Sequence, residues 1–299
     1  MLYVLTHNIL PVFAMLALGF VMGRLGTARQ EEARALNRIA FLVLQPPLIF
    51  LLLTGLDLPA VRYDALCIYA AVEVIAFAVA FTLAKTVFRC ETAEAFLLGM
   101  CVVFVNSLLY IWPISTLIYG EDGARPISAI VALDASVSFA VFIIGIELIK
   151  GETGIAATLP KLIRNPVLIT IVLSLALNIA GAPIPEPLLT AASFAGAGAA
   201  PLTLFALGVV LSAAPLRPSG PVVAISALKL LVFPLLVWAG FAVLSPGNPW
   251  QAQFLLNAGG PAGAMAFSLA LLHGVRTDRI APVIIWTSAL SLITLAWLA

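Results

Sequence analysis

The stretch FLLNAGGPAGAMAF, residues 254–267, lies inside an apolar segment as long as a membrane-spanning helix. Gly259, Gly260 and Pro261 occupy its middle. Proline lacks a backbone donor and clashes with the carbonyl one turn earlier, so these residues predict a helix break. A bilayer offers no water to unpaired backbone groups, and a break must therefore face protein or a water-filled cavity. The stretch indicates a membrane protein with an interrupted helix.

The composition of the whole chain supports this assignment. Of its 299 residues, 63% are hydrophobic and only 10% are charged, whereas soluble domains have about 45–50% apolar and 25% charged residues. A bilayer core requires roughly 20 apolar residues per helix. We therefore expect an all-α polytopic membrane protein without a soluble domain, whose ten spans cover residues 6–23, 36–54, 65–87, 95–119, 126–149, 166–183, 188–212, 221–244, 252–272 and 280–298.

The distribution of Lys and Arg predicts the orientation of these spans. Only Arg62 and Arg125 follow even-numbered spans, and Lys229 lies within span 8. Because cytoplasmic loops carry the excess of positive charge, both termini are expected outside a bacterial cytoplasmic membrane. The other twelve basic residues follow odd-numbered spans: Arg24, Arg29, Arg34, Arg38, Lys85, Arg89, Lys150, Lys161, Arg164, Arg217, Arg276 and Arg279.

The halves 1–150 and 151–299 share weak similarities. Span 4 contains NSLLYIWPISTLIYG, residues 106–120, and span 9 contains the stretch quoted above, each with Asn ahead of a central proline. Spans 2 and 7 each carry a proline followed by a long apolar stretch. Each half contains five spans. Because five is odd, the two halves would cross the membrane with opposite orientations. Inverted repeats with paired broken helices are typical of secondary transporters, which bind substrate at the repeat interface.

Polar residues beside the two prolines are the candidates for a binding site. If spans 4 and 9 cross at their prolines, two half-helix N-termini point at one site and favour an anion. Ordinary proline kinks are the alternative. The candidate substrate-binding residues are Asn106, Ser107, Tyr110 and Pro113 of span 4, Asn257, Gly259, Gly260 and Pro261 of span 9, Gln45 of span 2 and Lys229 of span 8.

Three charged residues lie about two turns or more inside predicted spans. Asp134 is in span 5, Glu73 in span 3 and Lys229 in span 8. A charge at the centre of a membrane helix costs about 2.5–3.5 kcal/mol on insertion scales, so such residues usually have a function. Asp134 and Glu73 are the candidates for binding a coupling proton or ion, and Lys229 for a counter-charge to an anion. The alternative is a structural ion pair, or a side chain that reaches the interface.

Other residue patterns exclude several classes of function. Cys67, Cys90 and Cys101 lack metal-ligand spacing, and His7 and His273 are isolated, so we expect neither a metal nor a cofactor. The sequence contains no HExxH, GxGD-like or Ser/His motif of an enzyme. It has no basic run interleaved with aromatic residues, which argues against nucleic-acid binding. The first basic cluster follows the first apolar run, which predicts a retained span and not a cleaved signal.

Several segments together resemble the auxin efflux carrier family, the bacterial permeases related to the plant PIN-FORMED auxin exporters. They are NILPVFAMLALGFVMGRLG (8–26), ALNRIAFLVLQPPLIF (35–50), the Asn106-to-Pro113 spacing, ALKLLVFPLL (227–236) and TDRIAPVIIWTSALSLITL (277–295). The resemblance implies ten helices in two inverted five-helix repeats, divided into a scaffold part and a transport part, with both termini outside. This architecture is shared with bile-acid symporters and sodium/proton antiporters.

The resemblance also implies elevator-like carriage of organic anions such as dicarboxylates or indole-acetate. It assigns Pro113 and Pro261 to the crossing of spans 4 and 9, and Asn106 to the site. Leu108 and Ile111 stand where the family usually has glycines, and these bulky side chains are expected to shrink or reshape the pocket.

The sequence therefore predicts a secondary active transporter of a small organic anion, with Asp134 as the candidate for proton coupling. A sodium-coupled symporter of the bile-acid-transporter type and an uncoupled channel or sensor remain alternatives. Substrate identity, transport direction and oligomeric state stay open, a homodimer being one alternative.

Overall fold

A computed structural model of the protein describes residues 2–151 and 165–299. These residues form helices and no β-strand, apart from one isolated bridge. We number the helices by predicted span: α1 (Leu2–Arg24), α2 (Gln30–Thr54), α3 (Tyr63–Thr86), α4a (Thr92–Val103), α4b (Ser107–Ile111 continuing as Trp112–Gly123), α5 (Arg125–Lys150), α6 (Pro166–Ile179), α7 (Glu186–Ser212), α8 (Gly220–Leu244), α9a (Gln251–Ala258), α9b (Met265–Leu272) and α10 (Ile280–Leu298).

In this part of the chain, seven helices are each long and apolar enough to cross a membrane: α1, α2, α3, α5, α7, α8 and α10. Predicted spans 4 and 9 are each divided into two helices, and span 6 corresponds to the 14-residue α6. The all-helical membrane architecture is confirmed, whereas the count of ten crossings stays a prediction. Lys161 and Arg164, which contributed to the predicted orientation, lie outside the described residues.

Side-chain amides fix the ends of α6 and α2. The Asn165 side chain accepts a hydrogen bond from the backbone N–H of Val167, 2.9 Å away, and so caps the start of α6. At the other end of α6, the Asn178 amide donates to the carbonyls of Leu53 and Leu56, at 2.6 and 2.7 Å. These carbonyls lie at the end of α2, where a helix leaves its last acceptors unpaired. Asn178 therefore joins α6 to α2.

Helices α1 and α7 pack with their backbones almost in contact. A Cβ atom on Gly19 of α1 would lie 2.0 Å from the carbonyl oxygen of Phe205 in α7. A Cβ on Gly208 of α7 would lie 2.1 Å from the carbonyl oxygen of Leu16 in α1. Close packing of small residues is a main source of helix association in a membrane, where the hydrophobic effect gives little. These glycines therefore set the distance between α1 and α7.

The helix pairs in contact follow a two-fold pattern. Helix α1 packs on α7 and α2 packs on α6; α3 packs on α4a and α8 packs on α9a. Likewise α4a contacts α9b, and α4b contacts α9a. In an inverted repeat, each helix of residues 1–150 has a counterpart in residues 151–299: α6 for α1, α7 for α2, α8 for α3 and α9 for α4. Replacing every helix by its counterpart turns the first contact of each pair into the second. This pattern supports the inverted repeat, which stays a prediction.

The interruption of span 4 is not at Pro113, as the sequence suggested, but at residues 104–106, between α4a and α4b. Pro113 lies two residues after the π-helical turn Ser107–Ile111, and the helix continues through it. Pro11, Pro46 and Pro234 also lie two residues after π-helical turns. A π-helical turn widens the helix by one residue, which relieves the clash between a proline ring and the preceding turn. The expectation of a break at Pro113 was wrong for this reason.

We predict that Gly208→Ala lowers the stability of the protein by about 1–3 kcal/mol, because the added methyl group must push α1 away from α7. Thermal unfolding of the purified variant in detergent measures this. Gly220→Ala is the matched control, since its Cβ would lie 3.5 Å from the nearest atom, on the Phe88 ring. Equal melting temperatures for the two variants would contradict the proposed packing.

Candidate functional site

The two interrupted helices cross at their interruptions. The backbone N–H of Asn106 donates to the carbonyl oxygen of Pro261 at 3.1 Å, and the N–H of Gly263 donates to the carbonyl oxygen of Phe104 at 2.8 Å. Val105 and the residue opposite it, Ala262, form an isolated antiparallel bridge. The crossing of spans 4 and 9 is therefore present, with Pro261 on one side and residues 104–106 on the other.

Protein groups also pair three other backbone atoms at the break in span 9. The carbonyl oxygen of Ala258 accepts a hydrogen bond from Lys229 Nζ at 2.7 Å, and that of Gly259 accepts one from Thr294 Oγ1 at 2.8 Å. The N–H of Ala262 donates to Thr287 Oγ1 at 3.2 Å. These three groups are satisfied within the protein, whereas residues 104–106 and 263–264 of the two interruptions line the cavity described next.

A cavity of about 720 Å³ lies beside the crossing. Its wall includes the first residues of α4b, Ser107 and Leu108, and the first residues of α9b, Met265 and Phe267. The first N–H groups of a helix have no intrahelical acceptor and carry the positive end of the helix dipole. Two half-helix N-termini therefore border one cavity, as the sequence predicted, although the Pro113 break assumed in that prediction is absent.

Helix α2 contributes polar residues to the cavity. Arg34, Arg38 and Gln45 all line the cavity. Arg34 and Arg38 are exposed to solvent, so they mark the mouth, whereas Gln45 is buried. The two arginines give the entrance a positive charge. Sequence reasoning had used them only to predict orientation.

Thr203 of α7 is a cavity residue that sequence reasoning missed. Its side chain is only 5% exposed, and its hydroxyl oxygen has no hydrogen-bond partner among the described residues. Such an unsatisfied buried hydroxyl costs free energy and suggests a missing partner. The sequence contained a clue to Thr203. It follows Pro201 of span 7 by two residues, just as Ile49 follows Pro47 of span 2, and Thr203 and Ile49 both line the cavity.

Of the predicted site residues, Gln45, Asn106, Ser107 and Asp134 line the cavity. Leu108 also lines the cavity. Ile111 is fully buried and packs against Gly260, since a Cβ atom on Gly260 would lie 2.4 Å from Ile111 Cδ1. Asn257 donates to the Tyr69 hydroxyl at 2.8 Å, and both residues are buried. The predicted residues that do not line this cavity are Glu73, Tyr110, Pro113, Lys229, Asn257, Gly259, Gly260 and Pro261.

Glu73, Asp134 and Lys229 form one buried cluster of charged residues. The Glu73 and Asp134 carboxyl groups are both buried and interact electrostatically. Lys229 is fully buried and interacts electrostatically with both. Ser107 Oγ donates to Asp134 Oδ2 at 3.2 Å, which connects the cluster to the start of α4b. Since Asp134 also lines the cavity, the cluster and the cavity share one residue.

The key polar residues of this region lie in π-helical turns. Ser107 begins the turn Ser107–Ile111, Asp134 begins the turn Asp134–Ser138, and Lys229 lies in Leu228–Val232. Such turns are frequent at functional sites, because they change the direction of side chains and loosen the helix ladder. This local geometry brings residues from three separate helices to the crossing.

Comparison with known proteins agrees with a transport role. The family described as membrane transport protein matches residues 4–298. A Rhizobium meliloti (strain 1021) protein named "Putative malonate transporter" is 25% identical over 303 residues, covering 98% of this chain and 94% of that protein. A Methanothermobacter thermautotrophicus protein named "Uncharacterized transporter" is 25% identical over 296 residues, covering 97% of this chain and 96% of that protein.

These matches extend over nearly the whole chain and include both interrupted helices. They agree with the all-helical architecture and with the buried charges at its centre. The chain therefore belongs to the family of membrane transport proteins, which confirms its resemblance to the auxin efflux carriers.

Proposed function

We propose that the protein is a secondary active transporter of a small organic anion, a mono- or dicarboxylate or an auxin-like acid, in the bacterial cytoplasmic membrane. The observation that carries this proposal is the convergence of two half-helix N-termini, those of α4b and α9b, on one cavity with arginines at its mouth. Family membership supports transport. The transported anion would reach opposite sides of the membrane by elevator-type alternating access.

The binding of a carboxylate follows from the groups around the cavity. Each helix N-terminus carries about half a positive charge and free N–H donors, which together bind anions. Asn106 and Thr203 add uncharged polar side chains to the lining. With the predicted orientation, Arg34 and Arg38 lie at a cytoplasmic mouth and attract anions from solution. A carboxylate bound near Ser107 would accept from the first N–H groups of α4b, which have no acceptor within their own helix.

The remaining wall suits the non-polar part of such an anion. Phe41, Phe104, Phe139 and Phe267 line the cavity, together with Leu108. Ligand pockets are commonly apolar with a few polar groups that fix the orientation of the ligand. The name of the Rhizobium meliloti relative mentions malonate, which supports the choice of a carboxylate for the first tests.

The position of Asp134 supports coupling to a proton. An anion in the cavity would lie beside this carboxyl group in surroundings of low dielectric, where like charges repel strongly. Anion binding and protonation of the Glu73–Asp134 pair therefore favour each other, and this coupling is reciprocal. The proton and the anion would move in the same direction. Sodium coupling and an uncoupled channel are the alternatives that the experiments below distinguish.

We predict that Asn106→Ala weakens anion binding about tenfold, equivalent to about 1.4 kcal/mol. The measurement is a thermal-shift titration of the purified protein against a panel of carboxylates that includes malonate and indole-acetate. The variant keeps the backbone N–H that binds Pro261, so the crossing should persist.

Asn248→Ala is the matched control for this titration, because Asn248 binds Asp64 and does not line the cavity. It should keep the full anion-induced shift, even if the protein itself melts earlier. Equal affinities of the wild-type protein and Asn106→Ala would remove Asn106 from the site.

We predict that Asp134→Asn abolishes the stimulation of uptake by a proton gradient, because an amide cannot exchange the coupled proton. The measurement is uptake of labelled substrate into proteoliposomes under separate proton and sodium gradients, together with counterflow without any gradient. Counterflow by the wild-type protein identifies a carrier and argues against a channel.

The matched control for Asp134→Asn is Asp122→Asn, whose side chain is exposed and pairs with Arg125. This control should keep the response to the proton gradient. A proton response retained in Asp134→Asn would refute the assigned role of Asp134, and stimulation by sodium alone would favour the symporter alternative.

A further inference from the structure

Ser107 lies where the cavity meets the buried charges. Ser107 is 4% exposed and Asp134 is 3% exposed, and both residues line the cavity. Ser107 Oγ donates to Asp134 Oδ2 at 3.2 Å. Ser107 is also the first residue of α4b, the helix whose first N–H groups lack an intrahelical acceptor. One hydroxyl group therefore lies between the proposed position of the anion and the proposed proton acceptor.

The crossing fixes the backbone that carries this hydroxyl group. The preceding residue, Asn106, donates its N–H to the carbonyl oxygen of Pro261. The carbonyl oxygen of Asn106 accepts from the N–H groups of Tyr110 and Ile111, at 3.1 Å each. Since the backbone before Ser107 is held at both its N–H and its carbonyl, the freedom that remains to the hydroxyl group is rotation about its own bonds.

A serine hydroxyl has one proton to donate and two lone pairs with which to accept. In the structure, Ser107 directs that proton to Asp134. A carboxylate at the start of α4b would be a second charged acceptor, and one proton cannot serve both. If Asp134 takes up a proton, its own O–H can donate to Ser107 Oγ, and the Ser107 O–H is then free to donate to the anion.

We propose that Ser107 is a positioning residue that couples anion binding to protonation of Asp134, by turning its single hydroxyl proton from Asp134 to the anion. This inference rests on the proposed function and specifies how the two sites of the transporter communicate. One proton enters from solution and is held on Asp134 Oδ2 while one anion is bound. Departure of the anion returns the proton to solution and the Ser107 O–H to Asp134.

Other charged and titratable groups also act on Asp134. Their electrostatic effect passes through space, so it persists whether or not residue 107 has a hydroxyl group. The contribution of Ser107 is therefore measured by removing that hydroxyl alone. The other groups are Glu73 and Tyr69 of α3, Lys229 of α8, and Arg34 and Arg38 at the mouth of the cavity.

The test measures how steeply anion affinity depends on pH. Malonate and indole-acetate are titrated calorimetrically into the purified wild-type protein and its variants at a series of pH values. Binding that requires one proton loses about tenfold in affinity per pH unit above the pKa of the free carboxyl group. We expect this slope for the wild-type protein and less than half of it, on a logarithmic scale, for Ser107→Ala. Ionisation of the two probes is the same in every titration and cancels in the comparison.

Ser138→Ala is the matched control. Ser138 Oγ donates to the other oxygen of Asp134, Oδ1, at 3.5 Å, but Ser138 does not line the cavity. This variant also removes a donor from Asp134, yet that donor cannot turn to the anion, so the wild-type slope should persist. Ser107→Thr keeps the hydroxyl group and should restore the slope. Ser107→Cys has only a weak donor, so it should show the reduced slope even if Ser107→Ala does not fold.

A wild-type slope in Ser107→Ala or Ser107→Cys would overturn the proposal, because repulsion between the charges would then be sufficient for coupling. An equal loss of slope in Ser138→Ala would also overturn it, since any donor to Asp134 would then have the same effect. Both results leave the transport proposal standing. If the wild-type protein binds neither anion, the proposed function itself fails, and this inference fails with it.

Discussion

The structure depends on two backbone hydrogen bonds between the interruptions of its two broken helices. A bilayer contains no water for unpaired N–H and C=O groups, so an isolated break would be costly. Here Asn106 donates to Pro261 and Gly263 donates to Phe104, so each interruption satisfies the other. The bond pair also fixes where α4b and α9b begin. Both helix N-termini therefore reach the same cavity as a direct consequence of the crossing.

The end of α9a creates a second requirement, which connects the fold to its buried charges. The carbonyl of Ala258 needs a donor, and Lys229 provides one. A buried ammonium is stabilised by negative charge, and the buried Glu73 and Asp134 carboxyl groups interact with it electrostatically. Asp134 in turn accepts a hydrogen bond from Ser107, at the start of α4b. Interactions between neighbouring groups thus link the backbone break to the cavity, and they give the proposed substrate and coupling sites a residue in common.

The bulky residues at positions 108 and 111 have different structural consequences. Ile111 packs against Gly260, which leaves room only because it has no side chain, so Ile111 contributes to the crossing and not to the cavity. Leu108 faces the cavity and belongs to its apolar wall. Of the two departures from the family pattern, only Leu108 can act on a bound anion directly. Its effect is on the shape of the cavity and not on the charge around it.

The sequence by itself determined the membrane environment, the helical fold and the positions of most helices, because hydropathy and helix-breaking residues act locally. It also pointed to Gln45, Asn106, Ser107 and Asp134, which line the cavity, since polar groups in an apolar segment are conspicuous. It placed the break of span 4 incorrectly, because a π-helical turn accommodates Pro113. Only the tertiary structure joined Glu73, Asp134 and Lys229 in one cluster and brought Thr203 to the cavity. These contacts join residues far apart in the chain, and helix packing alone decides which of them meet.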